Sequence, residues 1–353
     1  MIEKILLTSM LRRRNNMAQS AGFGCSARPA GVKTKAGATI AAAAAASLLL
    51  GVPTAVNAQT KGTKKEALKA AAKEALANHP NIFLVVAAKA GKWEVPAEPR
   101  HIAGPLYFVG TEGLGVWLIK SSAGLILLNT GMPGSGPMIE KSIRTLGFNP
   151  KDIKLLLASH AHIDHAGGHA YIEKISGAKV AMIAEEVPLL TSGGRTDFFY
   201  KNLKKFEYEP VAVDQVLHDG ETITLGDISM TAHLTQGHSI GSTSWTMKIT
   251  DNGTPYSVIF PDGTGANPGY RVRVNPSLPG LENQFRKTFD FLASQKPDIW
   301  LGNHNDTYGF KEKATRAVKE GAAAWVDPDG YAKWVAEARK QMDALVAKEL
   351  AGR

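Results

Sequence analysis

Cysteine is almost missing from this sequence, which has one, Cys25, in 353 residues. No intramolecular disulfide is available, so a chain this long must be held together by an apolar core. Long apolar runs are missing as well. The most apolar stretch, Ile40 to Leu50, is too short to span a bilayer comfortably, and no stable membrane anchor is expected. Charge of one sign is also scarce once the first 58 residues are set aside. They hold seven of the 41 Lys and Arg and one of the 32 Asp and Glu, leaving 34 basic residues against 31 acidic ones, a net +3. The overall charge of +9 therefore belongs mostly to the leader, and nucleic acid is not an expected partner. After Ala58 there is no internal repeat and no low-complexity segment.

Arg12-Arg13-Arg14, Lys33 and Lys35 precede the apolar stretch, and Val56-Asn57-Ala58 has the small residues of a cleavage site. Residues 1–58 therefore read as a secretory signal peptide, with cleavage after Ala58 and a periplasmic destination. Cys25 lies before the apolar stretch and is not placed to carry a lipid. Residues 59–90 read as a helical extension. Thr63 and Glu66 form a capping box that opens a helix over Lys64 to Asn78, with Leu68, Ala72 and Leu76 as its apolar stripe. His79-Pro80 is expected to end that helix. Residues 91–353 are read as one domain, expected to be a monomer.

Within that domain the hydrophobic pattern predicts strands at 105–109, 115–120 and 124–129, with Ser121-Ser122-Ala123-Gly124 as a hairpin turn. A helix at 137–146, a strand at 153–159, a helix at 168–176 and a strand at 178–183 follow. Residues 188–215 show no pattern and are expected to be irregular. Strands return at 222–225, 228–235, 243–250 and 256–261, followed by a helix at 281–294 and a strand at 298–302. Asp327-Pro328 caps a last helix in which Tyr331, Trp334, Ala338, Met342 and Leu345 recur at core-packing spacing. Two groups of strands, each accompanied by helices, suggest two packed sheets with helices outside them.

Residues 160–165 read His-Ala-His-Ile-Asp-His, which gathers three of the chain's ten histidines and a carboxylate into six positions. These are good zinc ligands, and they follow an apolar strand and precede the flexible Ala166-Gly167-Gly168. Alternate residues of an extended loop point the same way, so His160 and His162 can share one ion. Asp164 and His165 are offset toward a second. His238, after the strand that ends at Thr235, and His304, after Leu301-Gly302, supply further imidazoles at strand ends. The expected sets are His160, His162 and His238 for one zinc, and Asp164, His165 and His304 for the other, each with an open position for water. His169 is expected to be exposed, and His233 to face away from His238. Gly237-His238-Ser239-Ile240-Gly241, followed by Asp262 and His304, also fits a serine nucleophile elbow, although that reading leaves the histidine cluster unexplained.

The segments HAHIDHAGG (160–168), TQGHSIGSTSW (235–245), PDGTGANPGY (261–270) and LGNH (301–304) resemble the metallo-β-lactamase fold superfamily, and within it subclass B3. The resemblance runs from about Gly110 to Phe310. It implies an αββα sandwich of two mixed β-sheets flanked by helices, of the α/β layered class, with a dinuclear zinc site at its edge. It also implies a hydrolase that opens the β-lactam ring of penicillins, cephalosporins and carbapenems with hydroxide supplied by the metal and oriented by Asp164. Other hydrolases of the fold, such as lactonases and thiolesterases, remain alternatives, as does a non-catalytic periplasmic zinc-binding protein.

Two departures from the family pattern stand out. Subclass B3 usually has Asp-Ser-Leu-Ser where this chain has Asp262-Gly263-Thr264-Gly265, so Gly263, Thr264 and Gly265 are expected at the substrate without the usual hydroxyl contacts. The superfamily tends to place an aspartate where this chain has Asn129. Asn129 and Asp262 are expected to support the ligands from behind. If Asp262 bridged the two metals instead, a lactonase would be favoured.

Overall fold

The computed structural model describes residues 78–352. The expected signal peptide, its cleavage site and the body of the helix from Lys64 lie outside them. The chain divides into Met1–Ala75 and a compact unit from Leu76 to Arg353. Asn78 is helical and His79 is not, the break expected at His79-Pro80, and Pro80 then begins a further helix that was not expected, Pro80–Gly91. The missing N–H of proline costs nothing in a first helical turn, where it would have no partner anyway. Leu84, Ala87 and Ala90 of this helix are buried.

The first sheet runs in sequence order: β1 (Arg100–Ala103), β2 (Leu106–Phe108), β3 (Trp117–Ser121), β4 (Gly124–Leu128), β5 (Ile153–Leu157), β6 (Lys179–Ile183) and β7 (Gln215–Leu217). Strands β1 to β4 are antiparallel, and β4 to β7 are parallel. The second sheet holds β8 (Thr222–Leu225), β9 (Ile228–Leu234), β10 (Thr243–Asp251), β11 (Thr254–Phe260) and β12 (Ile299–Trp300), in the order β12-β11-β10-β9-β8. Only β12 pairs in parallel there, with β11. The two layers meet over large fully buried rings. Trp117 of the first packs on Phe260 of the second at 5.9 Å, and the indole N–H of Trp245 donates to the carbonyl of Ala158. Helices flank both sheets, giving the expected αββα sandwich.

Several elements carry no hydrophobic pattern in the sequence. β1 is four residues long with only Ile102 and Ala103 buried, too short to display an alternation. The helix Phe310–Glu320 buries only Phe310, Lys313 and Ala314, so no apolar stripe marks it. The stretch 188–215, expected to be irregular, contains most of the helix Val187–Thr191 and the start of β7.

The topology decides where the chemistry goes. β9 and β11 are both antiparallel to β10, and β12 is parallel to β11, so all three strands end at one edge. His238, Asp262 and His304 follow those three ends, and the loop after β5 brings His160 to His165 to the same place. Ligands outside the carboxyl ends of strands are the common arrangement in layered α/β folds.

Candidate metal centre

Ser159 leads out of β5, and its N–H and hydroxyl both donate to Asn129 Oδ1, at 2.9 and 3.2 Å. Asn129 sits in a left-handed conformation (φ 66) directly after β4, and its amide donates in turn to Asn303 Oδ1 at 3.1 Å. This one buried side chain therefore ties the residue before His160 to the residue before His304. An aspartate here could accept from Ser159 but could not donate to Asn303. The short helix Ile163–Ala166 then presents Asp164 and His165. Thr130 fixes that helix, since its N–H and hydroxyl both donate to the carbonyl of His165.

His160, His162 and His238 offer ring nitrogens within 4.8 Å of one another, as do ligand atoms of His160, Asp164 and His165. The outer nitrogen of each ring in the first group has a defined acceptor. His160 Nδ1 lies 2.8 Å from Asp262 Oδ2, His162 Nε2 lies 2.9 Å from Asp197 Oδ2, and His238 Nδ1 lies 2.7 Å from the carbonyl of Gly265. An acceptor on one nitrogen places the proton there and leaves a lone pair on the other. His160 Nε2, His162 Nδ1 and His238 Nε2 therefore face inward as donors. Two of them, His162 Nδ1 and His238 Nε2, stand 3.1 Å apart. Lone pairs at that distance repel unless a proton or a cation lies between them. Among the described residues, His160 Nε2 and His165 Nδ1 are buried without a protein partner. Leaving such groups unpaired costs stability, so this donor set fits a metal.

His304 belongs to the second group. Its Nε2 is 3.5 Å from Asp164 Oδ2, and His165 Nε2 is 3.2 Å from the same oxygen. Trp93 lies beside His304 with ring centres 5.2 Å apart and planes tilted by 46°, forming an apolar wall at the more open side of the site.

The electrostatics suit ligands at neutral pH. Burial holds His160 well below its ordinary value of 6.5 and, reinforced by the nearby His162, brings His238 down to about 4. Burial alone would raise Asp164, but the charge and hydrogen bond of His165, with His304 behind, hold it well below the usual carboxylate range. His162 is the exception. Burial lowers it, but the hydrogen bond and charge of Asp197 outweigh burial and raise it to about 9. Burial also pushes Glu186 up to about 7, against the N–H groups of Ala161 and Gly241 and the nearby His162.

Residues 116–251 match the Metallo-beta-lactamase superfamily. The native FEZ-1 metallo-beta-lactamase from Legionella gormanii is 38% identical, with a TM-score of 0.71 over 72% of this chain and 97% of that one. BJP-1, a subclass B3 metallo-beta-lactamase of Bradyrhizobium japonicum, is 35% identical, with a TM-score of 0.69 over 74% and 98% of the two chains. The chain belongs to the metallo-beta-lactamases, within subclass B3. LRA-12, a class B3 di-zinc metallo-beta-lactamase from an Alaskan soil metagenome, is 29% identical with a TM-score of 0.67 over 72% and 96%.

Several features of this B3 metallo-beta-lactamase differ from what its sequence suggests. His169 is fully buried, not exposed, with Nδ1 2.7 Å from the Thr130 hydroxyl, and burial brings it down to about 3. Gly263 is buried at φ +87, and a Cβ there would lie 1.8 Å from the carbonyl oxygen of Thr235. The serine expected of the family does not fit this backbone. Gly265 is exposed, and its Cβ would meet only His238 Nδ1 at 3.5 Å. Its carbonyl is already in use as the acceptor for that ring. Thr264 is half-buried. Asp262 touches the outer nitrogen of His160, so it orients that ring from behind, as expected. Ser239 is buried and paired with the Ser242 hydroxyl at 2.9 Å, which removes the nucleophile elbow. Nothing in the sequence pattern marks Asp197, Glu186 or Trp93 as part of the site. Only the Gly193-Gly194 turn before Asp197 hinted that this loop has a fixed shape.

Proposed function

We propose that this protein is a periplasmic dizinc hydrolase that opens the β-lactam ring of penicillins, cephalosporins and carbapenems. The observation that carries the reading is the set of three inward-facing nitrogens of His160, His162 and His238, each fixed by an acceptor behind it, beside Asp164, His165 and His304. The first three would hold one zinc and the second three the other. When bound, zinc acidifies water to a pKa of about 7 and polarises a carbonyl, so no serine or cysteine nucleophile is needed.

The chain's own groups supply orientation. Asp164 is ionised and shares one oxygen between His165 and His304, which leaves it able to orient a water or hold a proton at a carboxylate oxygen. Asp262, Asp197 and the Gly265 carbonyl keep the imidazoles in the tautomers that ligation needs. Trp93 offers an apolar face to a substrate side chain at the open end. With glycine at 263 and 265, no side-chain hydroxyl is available there to bind the substrate, so weak ground-state binding is expected. Export with cleavage after Ala58 would deliver a monomer, and among the described residues no helix is long and apolar enough to cross a membrane.

The test is a panel of penicillin, cephalosporin, carbapenem and lactone substrates, run with and without a chelator, together with zinc analysis. We expect two zinc ions per chain and chelator-sensitive opening of at least one β-lactam class. Cleavage of the lactone or of a thioester with every β-lactam left intact would overturn the β-lactamase reading and favour another hydrolase of the fold.

A further inference from the structure

We propose that Glu186 is a positioning residue whose carboxylate clamps together the two loops that carry the three-histidine set. The proposal rests on the zinc reading above. Glu186 follows β6, touches none of the three imidazoles by a hydrogen bond, and is fully buried. One oxygen, Oε1, accepts the N–H of Ala161 at 2.7 Å. The other, Oε2, accepts the N–H of Gly241, also at 2.7 Å. Ala161 stands between His160 and His162 in the loop after β5, and Gly241 lies three residues beyond His238 in the loop after β9. The two loops come from different sheets, so a single side chain joins the layers at the point where the donors must converge.

The surroundings are shaped for this contact. The carbonyl of Ala161 accepts from the Tyr208 hydroxyl at 2.5 Å, so both peptide groups of the residue between two ligands are tied. At Gly241 a Cβ would lie 2.4 Å from the backbone nitrogen of Glu186 and 2.5 Å from its Cβ, so only glycine lets the two chains approach this closely. Both carboxylate oxygens accept from backbone donors, a pattern that requires a fork of two acceptors. Glutamine supplies only one, and it would turn an NH2 group toward the other N–H. Aspartate keeps the charge but is one methylene shorter. A carboxylate that served only to satisfy one buried N–H would need neither the second arm nor the glycine.

The experiment compares native protein, Glu186→Gln and Glu186→Asp by equilibrium competition for zinc against a chelator of known affinity. The expected result for Glu186→Gln is an affinity lower by about tenfold to a hundredfold for one ion, with the second ion held as in native protein and kcat recovered at saturating zinc. Glu186→Asp is expected to fall between the two. A folded Glu186→Gln that binds both ions as tightly as native protein would overturn the proposal. If that variant does not fold, amide hydrogen exchange of metal-free native protein decides. Exchange at Ala161 and Gly241 as slow as in the core strands supports the clamp, and exchange as fast as in surface loops overturns it. Native protein that binds no zinc would sink the zinc reading, leaving the exchange rates to judge the clamp.

Discussion

Asp197 accepts the Nε2–H of His162 at 2.9 Å, while its other oxygen takes the backbone N–H groups of Phe199 and Tyr200 at 2.7 and 2.5 Å. The carboxylate is thus fixed by its own loop before it fixes the imidazole. Asp197→Ala should therefore weaken the first zinc by about tenfold to a hundredfold, while Asp197→Asn, which can still accept, should lose less. Chelator competition measures both. Unchanged affinity in the alanine variant would show that His162 needs no support.

The same contact predicts an alkaline effect on metal-free protein. His162 is raised from 6.5 to about 9, so its protonated form binds Asp197 more tightly in the folded state than in the unfolded one. The resulting stability is complete below pH 6.5 and disappears as pH rises through about 9. The thermal midpoint of chelated protein should fall over that interval, and Asp197→Ala should remove this component of the slope. Zinc at His162 Nδ1 would displace that nitrogen's proton while Asp197 keeps the one on Nε2, so calorimetry in buffers of different ionisation enthalpy should detect proton release on binding. A flat midpoint in native protein would contradict the assignment.

On the acid side the sign reverses. His238 at about 4 and His169 at about 3 are held down by burial, so the folded chain keeps them neutral where the unfolded chain takes up protons. Stability present above pH 6.5 should be lost as pH falls toward 4. His169→Gln should make this acid limb shallower in urea titrations. An acid limb as steep as that of native protein would mean that His169 does not contribute.

The two glycines that replace family serines should behave in opposite ways. Gly263→Ser forces a Cβ against Thr235 and a side chain into a left-handed conformation, and should cost about 1–3 kcal/mol in chemical denaturation. Gly265→Ser should leave stability unchanged and lower KM several-fold, since one added hydrogen bond contributes about 1 kcal/mol. A stable Gly263→Ser protein would show that this turn relaxes readily.

The candidate ligands were legible in the sequence because metal-binding residues of this kind are compressed along it. His160, His162, Asp164 and His165 fall in one hexapeptide, and His238 and His304 each follow a readable strand. Their supports were not legible. Glu186 acts on a residue 25 positions away and Asp197 on one 35 positions away, and neither separation has a period that a pattern could reveal. Nothing in one sequence says which of many carboxylates will be buried against a given ring. His169 misled because its helix begins beside a polar loop, yet Thr130 reaches it from the segment just after β4. Gly263 reads as a lost serine in sequence and as a backbone constraint in three dimensions.

The two layers are joined by bonds that involve no ligand side chain. Thr243 N–H donates to the carbonyl of Ser159 at 2.7 Å, and the Trp245 indole reaches the carbonyl of Ala158 at 3.0 Å, both directly beside the histidine loop. Small zinc modules collapse when stripped because the ion is their core. Here the core stands apart from the candidate metal site, so stripping and reloading should be an exchange reaction on a standing scaffold. A chain of this design could fold first and take up a metal afterwards, at whatever concentration its surroundings provide.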